Sequence, residues 1–320
     1  MASNNSSPNN PVSDSLKESL KAGLCGSIVA IVTPMQPSNQ GSMPSIDLAR
    51  LKQLCQWHLA EGTNGIVVMG TTGESASVSE VDYLKAIEVV VKTVAKRVPV
   101  IAGTGAISTT KTMDLTTKAA ALGADAALVV TPYYCKPSQE GLYLHFKAVA
   151  DNSSVPLILY NVPGRTACDL LPTTVARLAE YENIVAIKEA TGDVSRVKEL
   201  IEVCKTPIQL LSGDDATARE FIQAGGHGVI SVTANVAPAL MSQMCQLALD
   251  GQQKQAAIVD QKLSDLHRDL FLEANPIPVK WALAAMGKVE DAIMMPLTSL
   301  NKEFQPAVLK ALEKANVKTQ

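Results

Sequence analysis

Lys188 closes the apolar run Ile184-Val185-Ala186-Ile187. A primary amine drawn into a low-dielectric interior is disfavoured as a cation, and the free amine is a nucleophile toward carbonyl carbon. The chemistry open to such a residue is Schiff-base formation. One apolar run earlier, Leu157-Ile158-Leu159 delivers Tyr160, followed by Asn161-Val162-Pro163-Gly164-Arg165-Thr166. A phenol able to carry protons and a guanidinium able to clamp a carboxylate therefore stand at the corresponding end of the neighbouring element. A lysine at a strand end also commonly snorkels its charge to water, so its reading depends on what else gathers there.

The elements that must position these groups follow from periodicity. From Gly26 onward, short β-branched apolar runs alternate with longer segments of helical period. The runs are Ser27 to Val32, Gly65 to Met69, Val98 to Ala102, Ala126 to Val130, Pro156 to Tyr160, Ile184 to Lys188, Ile208 to Leu211 and Gly228 to Val232. Between and after them lie amphipathic stretches such as Ile46 to Glu61, Ser79 to Val94, Ser138 to Asp151 and Ala237 to Asp250. Strands apolar on both faces, each followed by a helix, indicate a parallel sheet covered by helices, and eight such units predict a closed (β/α)8 barrel, the TIM barrel of the α/β class. The catalytic barrel is expected over residues 24–250. Residues 251–320 read as a small C-terminal helical region packed on it, with helices broken at Pro276, Pro278, Pro296 and Pro306. Residues 1–23, rich in Ser and Asn without an arginine or an apolar core, match neither a secretory signal nor a typical transit peptide and read as a disordered leader outside the fold.

In such barrels the active site forms at the C-terminal ends of the strands, which makes each post-strand residue a candidate. After the second run comes Gly70-Thr71-Thr72-Gly73-Glu74-Ser75, whose two hydroxyls and following helix N-terminus offer donors for a carboxylate. The bland alternative is a loop of turn formers. After the fourth stand the adjacent tyrosines Tyr133 and Tyr134, in a chain only 4% aromatic. Such a pair suits rim packing, a proton relay or a subunit contact. Ser212-Gly213-Asp214-Asp215 and the Gly228 to Thr233 segment add small residues that leave room for a small substrate.

Other chemistries find little support. Gly103-Thr104-Gly105-Ala106 is half of a dinucleotide fingerprint without its third glycine. The four histidines are isolated, His227 reads as structural, and no H-E-x-x-H, Walker A or G-x-S-x-G sequence occurs. Glu189 adjoins Lys188 and would face the other side of a strand, which argues against it as general base. With 28 basic and 31 acidic residues, a net charge of −3 gives no electrostatic case for nucleic acid or an anionic membrane. No apolar stretch reaches the roughly 18 residues of a membrane helix. Six scattered cysteines without a C-x-x-C pair, in a 320-residue chain that is 47% hydrophobic, suit a reducing cytoplasm.

Together Gly70-Thr-Thr-Gly-Glu-Ser75, Pro132-Tyr-Tyr134, Tyr160-Asn-Val-Pro-Gly-Arg-Thr166, Ile187-Lys-Glu-Ala-Thr-Gly192, Ser212-Gly-Asp-Asp215 and Asn275-Pro-Ile-Pro-Val-Lys280 resemble the dihydrodipicolinate synthase family. The resemblance runs from about Gly26 through the C-terminal helices and also implies a (β/α)8 barrel. It implies that Lys188 condenses with the ketone of pyruvate and that Thr71 and Thr72 serve the pyruvate carboxylate and the proton relay. Tyr160 takes the part of proton donor and acceptor, and Tyr134 of a relay tyrosine reaching into the adjacent subunit. Arg165 recruits the carboxylate of aspartate 4-semialdehyde, while Gly213 and Ile230 line the pyruvate pocket through their backbones. The implied activity is a class I aldolase-type lyase of lysine and diaminopimelate synthesis, a homotetramer built as a dimer of dimers, needing no metal or organic cofactor. N-acetylneuraminate lyase and the 2-keto-3-deoxy sugar acid aldolases share the lysine, the tyrosine and the loop, with Arg165 as the discriminating residue. A non-catalytic pyruvate-binding regulator is the alternative of another class, opposed by the intact Lys188, Tyr160, Tyr134 and Thr71.

Lysine-inhibited members of that family hold the effector at a subunit interface. Ser75, Ala76 and Tyr133 match their site, whereas Glu80 and Tyr83 stand where histidines occur, Ile107 replaces an asparagine and Lys111 replaces a glutamate. Two ammonium groups about 4 Å apart repel by about 1 kcal/mol in water and about 4 kcal/mol at an effective dielectric of 20. Lysine is therefore expected to inhibit this chain weakly or not at all.

Overall fold

A computed structural model of the chain describes residues 24–37 and 43–320. The leader expected over residues 1–23 lies outside the described residues. Eight runs form strands: Gly26–Ala30, Gly65–Val68, Val100–Gly103, Ala126–Val130, Leu157–Asn161, Ile184–Glu189, Gln209–Ser212 and Gly228–Ser231. They close into a parallel barrel in sequence order, the first strand pairing with both the second and the eighth. Nearly every strand residue is buried, because helices cover the outside and side chains fill the inside, and this explains why the sequence shows solid apolar runs rather than alternation.

The helices begin where the local chemistry dictates. Asp47, Ser79, Ser108 and Ser138 each accept, through the side chain, the amide N–H three residues on, satisfying a donor that the first turn cannot. The first four barrel helices after these caps are Leu48–Ala60, Glu80–Val94, Thr109–Ala121 and Gln139–Asp151. A two-residue hairpin, Met35–Gln36 against Ser45–Ile46, precedes the first of them.

After the last barrel helix, Pro238–Leu249, come Gln253–Asp269, Ile277–Ala285 and Gln305–Lys314. Two of the prolines expected to break helices begin them instead. Pro278 and Pro306 sit in first turns, where a missing N–H forfeits no helical hydrogen bond. These helices share one apolar cluster with the barrel: Leu263, Val279 and Leu312 join Leu51, Val90 and Met241. Among the described residues no helix is long and apolar enough to cross a membrane.

Candidate active site

Strand register decides which residues meet. Tyr160 lies opposite Lys188 on adjacent strands, and Asn161 opposite Glu189. Because side chains alternate, one pair points into the barrel and the other away from it. Lys188, 6% exposed, sets its Nζ 4.4 Å from the centroid of the Tyr160 ring. Asn161 Nδ2 donates to Glu189 Oε2 at 3.1 Å, and the Thr191 N–H donates to Oε1 at 2.8 Å. Burial raises the Glu189 carboxyl above its ordinary range, and these donors oppose the rise. Glu189 thus braces the strand end from outside the barrel, on the face opposite the amine, as strand alternation predicts.

Above this pair opens a cavity of about 530 Å³, with Thr71, Tyr133, Tyr160, Arg165 and Asn275 in its wall. Thr72 and Lys188 are buried just behind it. Arg165 is placed by a four-residue helix, Pro163–Thr166, that opens on proline and ends in a left-handed Ala167. Thr166 ties this turn to the neighbouring loop by accepting a hydrogen bond from the Thr131 hydroxyl at 3.2 Å. Gly213 and Ile230 lie deeper. Ile230 shares the apolar interior of the barrel with Tyr160, and Gly213 receives the flank of Lys188.

The Gly70–Ser75 loop departs from one expectation. The helix that follows starts only at Glu80, capped by Ser79, so the loop does not present a helix N-terminus to the site. Turns within the loop shape it instead, with Gly73 N donating to Gly70 O and the Thr33 hydroxyl donating to Gly73 O. Its Glu74 is fully buried and ion-paired with the equally buried Lys280, while the Met294 N–H donates to its other oxygen at 2.8 Å. Burial lowers the Lys280 ammonium below its ordinary pKa, and Glu74 opposes that shift. Sequence reasoning assigned no role to Glu74, Lys280 or Asn275. The signal available was a lysine and a glutamate inside otherwise unusually uncharged motif segments.

The tyrosine pair splits. Tyr133 faces the cavity, whereas Tyr134 is 88% exposed on a left-handed backbone with φ 71° and takes no part in the cavity of its own chain. Gly103 owes its identity to packing, since a Cβ there would stand 2.3 Å from the Met69 carbonyl oxygen. This accounts for the half-fingerprint without a dinucleotide. His227 accepts the Leu210 N–H through Nδ1 at 3.0 Å, a structural role. Among the described residues no group of three or more His, Cys, Asp or Glu could hold a metal ion.

At the outer arm of the cavity, Lys111 is not a bare ammonium. It pairs with Glu80 and lies 3.4 Å from Asp114, while Lys118 reaches Glu80 at 2.5 Å and Asp114 at 2.8 Å. The two lysines hold the Glu80 carboxyl below its ordinary pKa. The simple ammonium-against-ammonium picture is corrected accordingly, and what an incoming cation meets is a carboxylate already engaged by two lysines.

Known proteins match this arrangement along most of the chain. The model of the dihydrodipicolinate synthetase family covers residues 23–315. The 4-hydroxy-tetrahydrodipicolinate synthase of Methylococcus capsulatus is 52% identical over 292 residues, 91% of this chain and 99% of its own. The chloride-inhibited dihydrodipicolinate synthase of Acinetobacter baumannii, crystallised with pyruvate, superposes with a TM-score of 0.88 at 49% identity, covering 92% of this chain and 100% of that one. The enzyme from Cyanidioschyzon merolae, solved with lysine bound, gives 0.88 at 34% identity over 92% of this chain and 99% of its own. A barrel with its lysine and tyrosine in register, matched over this length, belongs to the dihydrodipicolinate synthetase family.

Proposed function

We propose that the protein is a 4-hydroxy-tetrahydrodipicolinate synthase, condensing pyruvate with L-aspartate 4-semialdehyde in lysine and diaminopimelate synthesis. The observation that carries this reading is the pairing of Lys188 with Tyr160, whose side chain lines a cavity together with Thr71 and Arg165. The Lys188 amine adds to the ketone of pyruvate and water leaves, giving an imine. Loss of a methyl proton gives the enamine, whose carbon attacks the aldehyde of the second substrate. The amine of the product then displaces Lys188 as the ring closes, and the free enzyme is regenerated. Tyr160 and Thr71 move the protons, Thr72 donates to the pyruvate carboxylate, Gly213 and Ile230 shape its pocket, and Arg165 holds the carboxylate of the semialdehyde. The scheme calls on no metal or organic cofactor.

Tyr134 cannot serve this site from its own chain, and its exposure supports a role in a neighbouring copy. The proposed assembly is a homotetramer, a dimer of dimers, working in the cytoplasm. Within each copy residues 24–250 form the catalytic barrel, and residues 251–320 the helical region packed on it.

Borohydride reduction in the presence of pyruvate tests the scheme, with the adduct mapped to the Lys188 peptide. An adduct on another lysine, or none during turnover, overturns it. Assaying pyruvate with aspartate semialdehyde beside pyruvate with N-acetylmannosamine separates the reading from the sugar-acid aldolases. Arg165→Ala should lower kcat/KM for the semialdehyde roughly 30-fold, the worth of one charge-assisted contact, while the pyruvate imine still forms.

A further inference from the structure

Asn275 lies at the point where the C-terminal region touches both anion-binding groups. Its side chain is buried, and Nδ2 donates to Thr72 Oγ1 at 3.0 Å. Its main-chain oxygen accepts from Arg165 Nη2 at 3.2 Å. Its Oδ1 is buried without a partner. A buried acceptor left unsatisfied costs stability, which marks this side chain as held in place for something other than its own hydrogen bonding.

A threonine hydroxyl has one proton to give and two lone pairs to receive. With an amide N–H occupying a lone pair of Thr72, the hydroxyl proton has to point away from Asn275, leaving it available to a ligand. The asparagine is itself held from the other side. Five residues on, Lys280 is locked to Glu74, two residues beyond Thr72, so the Gly70–Ser75 loop and the Asn275 segment cannot slide past one another.

We propose that Asn275 is a positioning residue that sets the Thr72 hydroxyl as a donor to the pyruvate carboxylate and, through its main-chain carbonyl, fixes the Arg165 guanidinium for the second substrate. The proposal rests on the roles given to Thr72 and Arg165 above. Asn275 acts through Thr72 and Arg165, the two side chains it contacts. It acts by deciding which way one proton points and where one guanidinium lies.

The decisive variants are Asn275→Asp and Asn275→Ala. A carboxylate has the same shape but can only accept, so it captures the Thr72 proton and turns the donor away from the ligand. Asn275→Asp should therefore raise KM for pyruvate roughly tenfold to hundredfold, the range for a lost hydrogen bond to a charged group. KM for aspartate semialdehyde should stay within about twofold, because the main-chain carbonyl remains. Asn275→Ala frees the hydroxyl to rotate and should raise KM for pyruvate less than Asn275→Asp does. A merely structural role reverses that order, since truncation leaves a void and the isosteric change does not. In a Thr72→Val background, Asn275→Asp should add no further loss for pyruvate. Equal effects on both substrates, the reversed order, or additivity with Thr72→Val overturns the proposal. An unchanged KM for pyruvate in Thr72→Val alone instead overturns the role given to Thr72.

Discussion

A Cβ on Gly213 would stand 2.9 Å from Cε of Lys188 and 2.5 Å from Cβ of Ala190. Both distances are shorter than side-chain carbons tolerate, so the absence of a side chain at 213 is what allows the lysine to lie alongside Tyr160. Gly213→Ala should push Lys188 out of register with the phenol. The expected result is at least a tenfold slower borohydride-trapped imine, with folding stability reduced by about 1–3 kcal/mol through overpacking. Quenched-flow trapping on folded protein checks it, and an unchanged trapping rate would show that the amine tolerates displacement.

The Glu74–Lys280 pair should behave as a buried charge pair does when halved. Among the described residues, Lys280→Met leaves the Glu74 carboxylate with only the Met294 N–H, and it should cost about 3–5 kcal/mol. The double change Glu74→Leu with Lys280→Met removes both charges and should recover much of that loss. Urea unfolding of the three proteins is the measurement, and a double variant no more stable than Lys280→Met would contradict it.

Acid sensitivity has an identifiable contributor away from the cavity. His58 is fully buried with neither ring nitrogen partnered, and burial, with Lys288 nearby, pushes its pKa from 6.5 down to about 3. Between these values the unfolded chain binds a proton that the folded one refuses, so stability is present above pH 6.5 and falls as pH falls toward 3. At pH 5 the loss should be about 2 kcal/mol. Burial pushes His145 down to about 4, with the same sign. Thermal melts at pH 7 and pH 5 should show His58→Leu losing less stability than the parent on acidification. Equal losses would place the acid sensitivity elsewhere.

The barrel was legible because its strands are covered on both faces. Each of the eight apolar runs became a strand within two residues of its expected ends. Lys188, Tyr160 and Arg165 were legible for the same reason, as polar residues interrupting or following such runs. The Pro163–Thr166 helix was not, since four residues are too few to show a helical period. Nor could local pattern reveal the contacts that seat the Gly70–Ser75 loop. Thr72 meets Asn275 across 203 positions and Glu74 meets Lys280 across 206, distances at which only the folded barrel brings them together.

Regulation offers a further check. In this chain the outer arm of the cavity carries Glu80 bridged by Lys111 and Lys118, and Ile107 is exposed. Free lysine should inhibit the initial rate weakly or not at all, because its ammonium must displace a lysine already bound to Glu80. Half-maximal inhibition by submillimolar lysine would refute this.

A chain leaves the ribosome amino end first, so Glu74 emerges 206 residues ahead of the only described cation it pairs with. Until then its carboxylate has no reason to leave water, and the threonines beside it have no fixed place. A polypeptide cut short between Leu249 and the helix Ile277–Ala285 could carry Lys188 and Tyr160 on a barrel with all eight strands and still lack a seated Gly70–Ser75 loop. Competence for catalysis should therefore arrive late in synthesis, as a property of the finished chain.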